Sequence, residues 1–239
     1  MKDEQLQKEL LKDLRALDEH RGEVGTPLVL IGGWAVSSYT RSVRMTRDAD
    51  FVAAKKSANP LMALLKSLGY DCRKQRDKIS ANKWVGRDAI KLTIHIAIDG
   101  VFDETTFARY PISNEELEKA KRRHLKPYFA RLETTRMPEM PVVRVEDLFL
   151  MKLLPLRDRD LLDVCLLLLE SHDEFNLTRL RAKALTEELA DLYRQRFAQM
   201  AEKIRAGDLH VEWRRQLNRR LTQKEENLIL FRLRNIAKR

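Results

Sequence analysis

Leu6, Leu10, Leu14 and Leu17 recur at intervals of three and four, which predicts a helix over residues 4–20 with one apolar face. Gly22, Gly25 and Pro27 end it. The run Leu28-Val29-Leu30-Ile31 is apolar throughout and stops at Gly32-Gly33, then Trp34 to Thr40 follow. That order predicts a buried strand, a glycine turn and a helix. Residues 47–53 alternate polar and apolar and predict a second strand. Asn59 and Pro60 predict a capped helix start, with Gly69 as its stop. Two further strands are predicted over 79–85 and 90–98. In the second, Leu or Ile fills every even position, so Thr93, His95, Ala97 and Asp99 share the other face.

From about residue 113 the pattern reads as helical. Residues 145–154 and 158–170 predict apolar helices separated by Pro155, and 176–239 predicts three or four amphipathic ones. The expected class is α+β. A small mixed β-sheet core flanked by helices, with the N-terminal helix, spans 1–110. An all-helical subdomain over 111–239 follows and completes a cleft.

Composition narrows the function classes. The 239 residues hold 44% hydrophobic and 34% charged side chains, which excludes a disordered chain. No apolar run approaches the roughly 20 residues that span a bilayer, so no membrane partner is expected. The first residues, MKDEQLQKELLKDL, are charged throughout, which predicts no secretory leader. Cys72 and Cys165 stand far apart, outside any metal spacing, and fit a reducing cytoplasm. The net charge is +10, and eight of those charges lie between Arg179 and Arg239. Lys119, Lys121, Arg122, Arg123, Lys126, Arg131 and Arg136 form a second basic cluster. Such a field attracts polyanions, RNA among them; a solvated helical surface has the same composition.

One constellation carries chemistry. Gly32-Gly33 is followed, after fourteen residues, by Asp48-Ala49-Asp50. On a strand, positions i and i+2 project to one face, so the two carboxylates stand together. They repel unless a cation or proton lies between them. Paired hard oxygens suit Mg²⁺, which keeps waters and takes phosphate oxygens. A glycine turn leading into a helix lets backbone N–H groups approach a phosphate. The combination points to a site for a metal and a nucleoside triphosphate.

The stretch IGGWAVSSYTRSVRMTRDADFVA resembles the signature of polymerase-β-type nucleotidyltransferases. The form Arg44-Met45-Thr46-Arg47-Asp48-Ala49-Asp50 is similar to the AbiEii/MenT-like branch, which includes toxins of toxin–antitoxin systems. Val145 to Val164, with VEDL, Lys152, Arg157, Asp160 and Asp163, resembles that branch's helical motif. The resemblance covers roughly residues 28–170. It implies that Gly32 and Gly33 cradle the triphosphate of an NTP, and that Asp48 and Asp50 hold Mg²⁺. It implies a phosphate contact for Lys152 and a place near the site for Arg157 and Asp160, with Asp163 next. Arg44 and Arg47 contact nucleotide or acceptor, or pair with Asp48 and Asp50.

The superfamily usually carries a third carboxylate on a neighbouring strand, six residues before an Asp-Gly; counting back from Asp99-Gly100, the resemblance puts Thr93 at that position. His95, about 7 Å along the same face, is the nearest substitute base. Asp99 reads as a turn residue. The resemblance thus implies an enzyme moving a nucleoside monophosphate to an acceptor hydroxyl. The acceptor is RNA, tRNA included, or else a protein or a small molecule such as an aminoglycoside. A cognate antitoxin protein is the implied partner. A catalytically degenerate relative that binds nucleotide or RNA without chemistry is the alternative, and an interaction module docking a partner through the C-terminal helices is a third.

Overall fold

The computed structural model describes residues 2–24, 27–86, 89–133, 137–186 and 188–237. Gly25 and Arg136, named above, lie outside them. The chain divides into two compact units. Unit 1 comprises Met1–Ser38, Met45–Phe102 and Arg109–Val143; unit 2 comprises Tyr39–Arg44, Asp103–Ala108 and Arg144–Arg239.

In unit 1, helix α1 (Lys2–Glu19) is followed by strand β1 (Val29–Ile31), helix α2 (Gly32–Tyr39, its last residue in unit 2), β2 (Asp48–Ala53), α3 (Ala58–Ser67), β3 (Asp71–Lys74), β4 (Lys78–Val85), β5 (Ile90–Ile98) and β6 (Gly100–Asp103). Strand β7 (Ala108–Pro111), helix α4 (Asn114–Glu118), β8 (Lys121–His124) and β9 (Glu139–Val142) complete the series; Asp103 at the end of β6 and Ala108 at the start of β7 belong to unit 2. Among the described residues one seven-stranded sheet runs β3-β4-β5-β2-β1-β9-β8, and β6 and β7 form a two-stranded hairpin. The sheet is mixed: β2 pairs parallel to β5 and β1 parallel to β9, while the other neighbours are antiparallel.

The period-two reading of β5 holds. Leu92, Ile94 and Ile96 are buried, and α1 packs on this strand with Leu6, Leu10, Leu11, Leu14 and Leu17 buried along its own length. Burying a leucine side chain contributes about 1.5–3 kcal/mol before ordering costs. A polar clasp reinforces the contact. Lys83 Nζ donates to both oxygens of the buried Asp13, at 3.0 and 2.9 Å, and Tyr70 Oη donates at 2.8 Å. Burial, and then the Asp13 charge, push the Tyr70 phenol above its usual range, so it stays a donor.

Two expectations change. Residues beyond 113 are not wholly helical: β8 and β9 extend the sheet, so the expected division at residue 110 falls inside unit 1. Lys121-Arg122-Arg123-His124 lacks apolar periodicity because β8 is an edge strand. The α3 start also differs. Ser57 is the N-cap residue, without a side-chain cap bond, and Asn59 lies within the helix, accepting from Lys74 Nζ at 3.3 Å. Pro60 sits in the first turn, where its missing N–H costs nothing. Gly69 stops the helix as expected, at φ +87°.

Unit 2 is helical: α5 (Val145–Leu153), α6 (Asp158–Glu170), α7 (Leu177–Ala184), α8 (Ala190–Ala206), α9 (Asp208–Leu217) and α10 (Gln223–Ala237). Helix α5 is buried almost throughout, including two acids. Glu146 Oε1 accepts from the backbone N of Asn176 at 2.6 Å, and Asp147 accepts from Arg179 Nη2 at 2.6 Å. The VEDL acids therefore fix the start of α7. Among the described residues no helix is long and apolar enough to cross a membrane.

Candidate functional site

Strand β2 lies between β1 and β5, and its register decides what stands beside the carboxylates. Asp48 is paired with Thr93 and Asp50 with His95. On the next strand Thr93 faces Asn82 and His95 faces Ser80. Asp48, Asp50, Thr93, His95, Ser80 and Asn82 are all half-buried, while Ala49, Phe51, Ile94, Ile79 and Ala81 between them are buried. One sheet face is apolar and packed; the other carries two polar rows, Asp50–His95–Ser80 and Asp48–Thr93–Asn82. Thr93 Oγ1 donates to Asn82 Oδ1 at 3.2 Å, and Ser80 Oγ lies 3.4 Å from His95 Nδ1.

Gly32 abuts the same carboxylate. Ile31, the last residue of β1, pairs with Asp50, and the chain turns into α2 at Gly32 with φ +70°. A Cβ there would lie 2.2 Å from Asp50 Oδ2, so only glycine admits this approach. Gly33 is the buried second residue of α2.

The donor set fits a hard divalent cation. Two carboxylates share a half-exposed face, one of them pressed against a glycine at a helix start. Among the described residues no cluster of three or more His, Cys, Asp or Glu side chains forms. Two carboxylates on a half-buried face are hard oxygen donors, the ligand type taken by divalent cations that keep part of their water shell. His95 is held below the usual histidine range, by burial first and then by Lys78, with Asp48 opposing; the ring is neutral near pH 7. Asp99 is a turn residue at φ +55°, its Oδ1 accepting from the backbone N of Lys55 at 2.9 Å. Arg47 pairs with Asp3 on α1, at 3.1 Å, rather than with its neighbours Asp48 and Asp50.

The residues expected from the helical motif meet in unit 2. Lys152 Nζ lies 3.1 Å from Asp160 Oδ1 and 3.0 Å from Asp163 Oδ2. Arg44 donates through Nε to Asp163 Oδ1 at 2.6 Å and through Nη2 to Oδ2 at 2.8 Å. Arg157 Nε reaches Asp160 Oδ2 at 2.6 Å. Asp163 is fully buried. Burial alone would raise its carboxyl, but Lys152 and Arg44 reverse this and hold it below the usual range. Burial would likewise lower Lys152, and Asp163 and Asp160 hold it above. Three basic side chains thus surround two carboxylates. The sequence singled out all five residues by motif, but expected Arg44 to contact nucleotide or acceptor or to pair with Asp48 and Asp50; its partnership with Asp163, 119 positions away, had no local signal. Glu170 completes the arrangement, accepting from the backbone N of Arg41 and of Ser42.

Much of the basic surface is engaged. Lys119 pairs with Glu115, Arg122 with Asp18, Arg131 with Glu4, and Arg219 with Glu225. Ser80, Asn82 and Lys78 escaped sequence reasoning, although the alternation of β4 signalled their shared face.

Comparison with known proteins bears on this constellation. The sequence model of a family described as nucleotidyl transferase AbiEii toxin, type IV TA system, matches residues 15–233. Comparison with curated protein sequences gives no significant match. A crystal structure of a candidate nucleotidyltransferase from H. pylori is similar in fold. It has a TM-score of 0.54 and 16% identity, and the match covers 97% of this chain and 94% of that one. A solution structure of the antibiotic-resistance factor ANT(2'')-Ia aligns over 88% of this chain and 100% of that one, with 18% identity and a TM-score of 0.37.

Proposed function

Because the chain belongs to the AbiEii nucleotidyltransferase toxin family, we propose that it moves a nucleoside monophosphate from a Mg²⁺-bound NTP to a hydroxyl of RNA, tRNA included. We further propose that it acts in the cytoplasm as a toxin restrained by a cognate antitoxin protein. The observation that carries the reading is the approach of Gly32 to Asp50 beside Asp48. It joins a phosphate-accepting glycine turn to a cation-accepting carboxylate pair on one sheet face.

In this reading Gly32 and Gly33 receive the triphosphate through backbone donors. Asp48 and Asp50 would hold the cation, which when bound neutralises charge on the α-phosphate and the departing pyrophosphate. His95, neutral and next to Asp50, takes the acceptor's proton at Nε2, the nitrogen turned from Ser80. The acceptor oxygen bonds to the α-phosphorus as the bond to the β-phosphate oxygen breaks and pyrophosphate leaves. The roles of Lys152, Arg157 and Asp160 toward the nucleotide, and of Arg47, belong to the same proposal and rest on their match to the family motif. Thr93 beside Asp48 favours a second reading, in which nucleotide or RNA binds without chemistry.

Label transfer from each of the four α-³²P NTPs with Mg²⁺ decides between them. The acceptors are total tRNA and the protein itself, and Asp48→Ala/Asp50→Ala is the control. Label on tRNA that disappears in the control is the expected result. NTP binding without label on either acceptor would overturn transfer to RNA and leave the binding reading.

A further inference from the structure

Trp84 is 65% exposed, although an indole is the largest apolar side chain a sheet can carry. Its register explains where it points. Trp84 pairs with Lys91 on β5, one row beyond Thr93–Asn82. Lys83, its neighbour, turns to Asp13 under α1, so Trp84 stands on the opposite face, the one carrying Asp48 and Asp50. Two residues along the strand and two strands across place the Trp84 and Asp48 Cα atoms about 12 Å apart. Lys91 stands beside Trp84, Lys78 lies three rows away at the other end of the same face, and Asn82, in the Asp48 row, lies between them.

The side on which Trp84 lies identifies its occupant. The sheet order is β4-β5-β2-β1, and the glycine turn follows β1. A triphosphate cradled at Gly32 and Gly33 leaves on the β1 side of the carboxylates. In an in-line displacement the attacking oxygen enters opposite the leaving group, here over β5 and β4. The group that passes Trp84 therefore belongs to the acceptor. An exposed indole beside one lysine, with a second lysine further along the face that leads to a phosphoryl-transfer site, is the pairing that holds single-stranded nucleic acid: a ring for the base and cations for the backbone.

We infer that Trp84 is a stacking platform for a base near the reacting end of a single-stranded nucleic-acid acceptor, with Lys91 and Lys78 against its phosphates. The inference rests on the proposed transfer reaction for its direction of entry.

Intrinsic fluorescence tests it directly, because Trp34 and Trp213 are buried at 1% and 0% exposure and Trp84 alone answers to solvent. The probes are a mixed-sequence RNA decamer and an abasic decamer of the same length. The RNA decamer is expected to quench the exposed emission and the abasic one to leave it unchanged. By anisotropy of the labelled RNA decamer, Trp84→Ala is expected to weaken binding about ten-fold, with Trp84→Phe retaining most of it. Equal binding by Trp84→Ala, or equal quenching by the abasic strand, would overturn the platform. Quenching by NTP alone would assign the ring to the donor base and overturn the acceptor assignment. A protein-concentration-dependent blue shift without RNA would assign the face to a second copy and overturn it too. The Asp48→Ala/Asp50→Ala variant separates the two proposals. It is expected to lose label transfer and keep RNA quenching; quenching without transfer in the native chain would sink the reaction and leave the platform standing.

Discussion

Replacing Asp163 by alanine tests the charge network of unit 2 at its centre. Asp163 accepts two hydrogen bonds from Arg44 and lies 3.0 Å from Lys152, with its own side chain fully buried and theirs 9% and 13% exposed. Removing the carboxylate leaves two desolvated cations with one shared anion fewer. Breaking a buried pair in this way costs about 3–5 kcal/mol. For a chain of this size each kcal/mol lowers Tm by about 2–4 °C, so a fall of roughly 6–20 °C is expected. Circular dichroism at 222 nm during heating measures it, because unit 2 is helical. The exposed pair Arg47–Asp3 is the contrast, with side chains 64% and 43% exposed; Asp3→Ala should move Tm by about 2 °C or less. A fall below 3 °C for Asp163→Ala would refute the claim that the network is desolvated and mutually dependent. The same network sets a pH window. Asp163 is lowered on folding, so its stabilisation is present above the ordinary carboxylate pKa of about 3.9 and is lost as pH falls through the folded value. Lys152 is raised, so its share is present below about 10.4 and is lost as pH climbs through the folded value. Stability from this source should be level between about pH 5 and 9, and Asp163→Ala should flatten the acid limb.

Three further outcomes follow from the same geometry. Gly32→Ala puts a Cβ 2.2 Å from Asp50 Oδ2 at φ +70°, so label transfer should fall at least a hundred-fold; transfer within three-fold of the native chain would show that the turn can relax. Tyr70→Phe removes the hydrogen bond to Asp13 and should cost about 1.5–3 kcal/mol by urea unfolding, with Asp13→Asn costing more because Lys83 also loses its counter-charge; no loss in either would refute the clasp. Gly100→Ala brings a Cβ within 2.6 Å of the Tyr110 carbonyl at φ +137°, and a lowered Tm with unchanged α-helix content is the expected reading.

Much of the site was legible because local patterns carry local geometry. The alternation of β5 gave its two faces, and the interval from Gly32-Gly33 to Asp48 and Asp50 pointed to a phosphate and a cation before any ladder was known. What local pattern cannot give is register. Nothing within the sequence of β2 says that Asp50 stands beside His95 or that Thr93 stands beside Asp48; that depends on the parallel pairing of strands more than forty residues apart. The same limit hid Trp84, which reads as one more strand residue until its neighbours are known. Strands β8 and β9 escaped for another reason. An exposed edge strand has no apolar face to alternate, and Glu139-Met140-Pro141-Val142 carries a proline, a weak strand signal.

The short stretch Tyr39–Arg44 has a consequence for how this protein can be taken apart. Gly32-Gly33 and Asp48-Asp50 both belong to unit 1, yet the chain between them leaves to join unit 2, where Glu170, Ser171 and Asp163 hold it through Ser42, Tyr39 and Arg44. The backbone crosses the division five times, so neither unit is a continuous piece of polypeptide. A chain ending at Val143 would keep both motifs and every strand of the sheet, but it would lose Glu170, Ser171 and Asp163, the side chains that hold Ser42, Tyr39 and Arg44. The helical unit is therefore more than an appendage to the motifs. A replacement for it would have to supply partners for Tyr39, Ser42 and Arg44, on a loop encoded more than a hundred residues upstream.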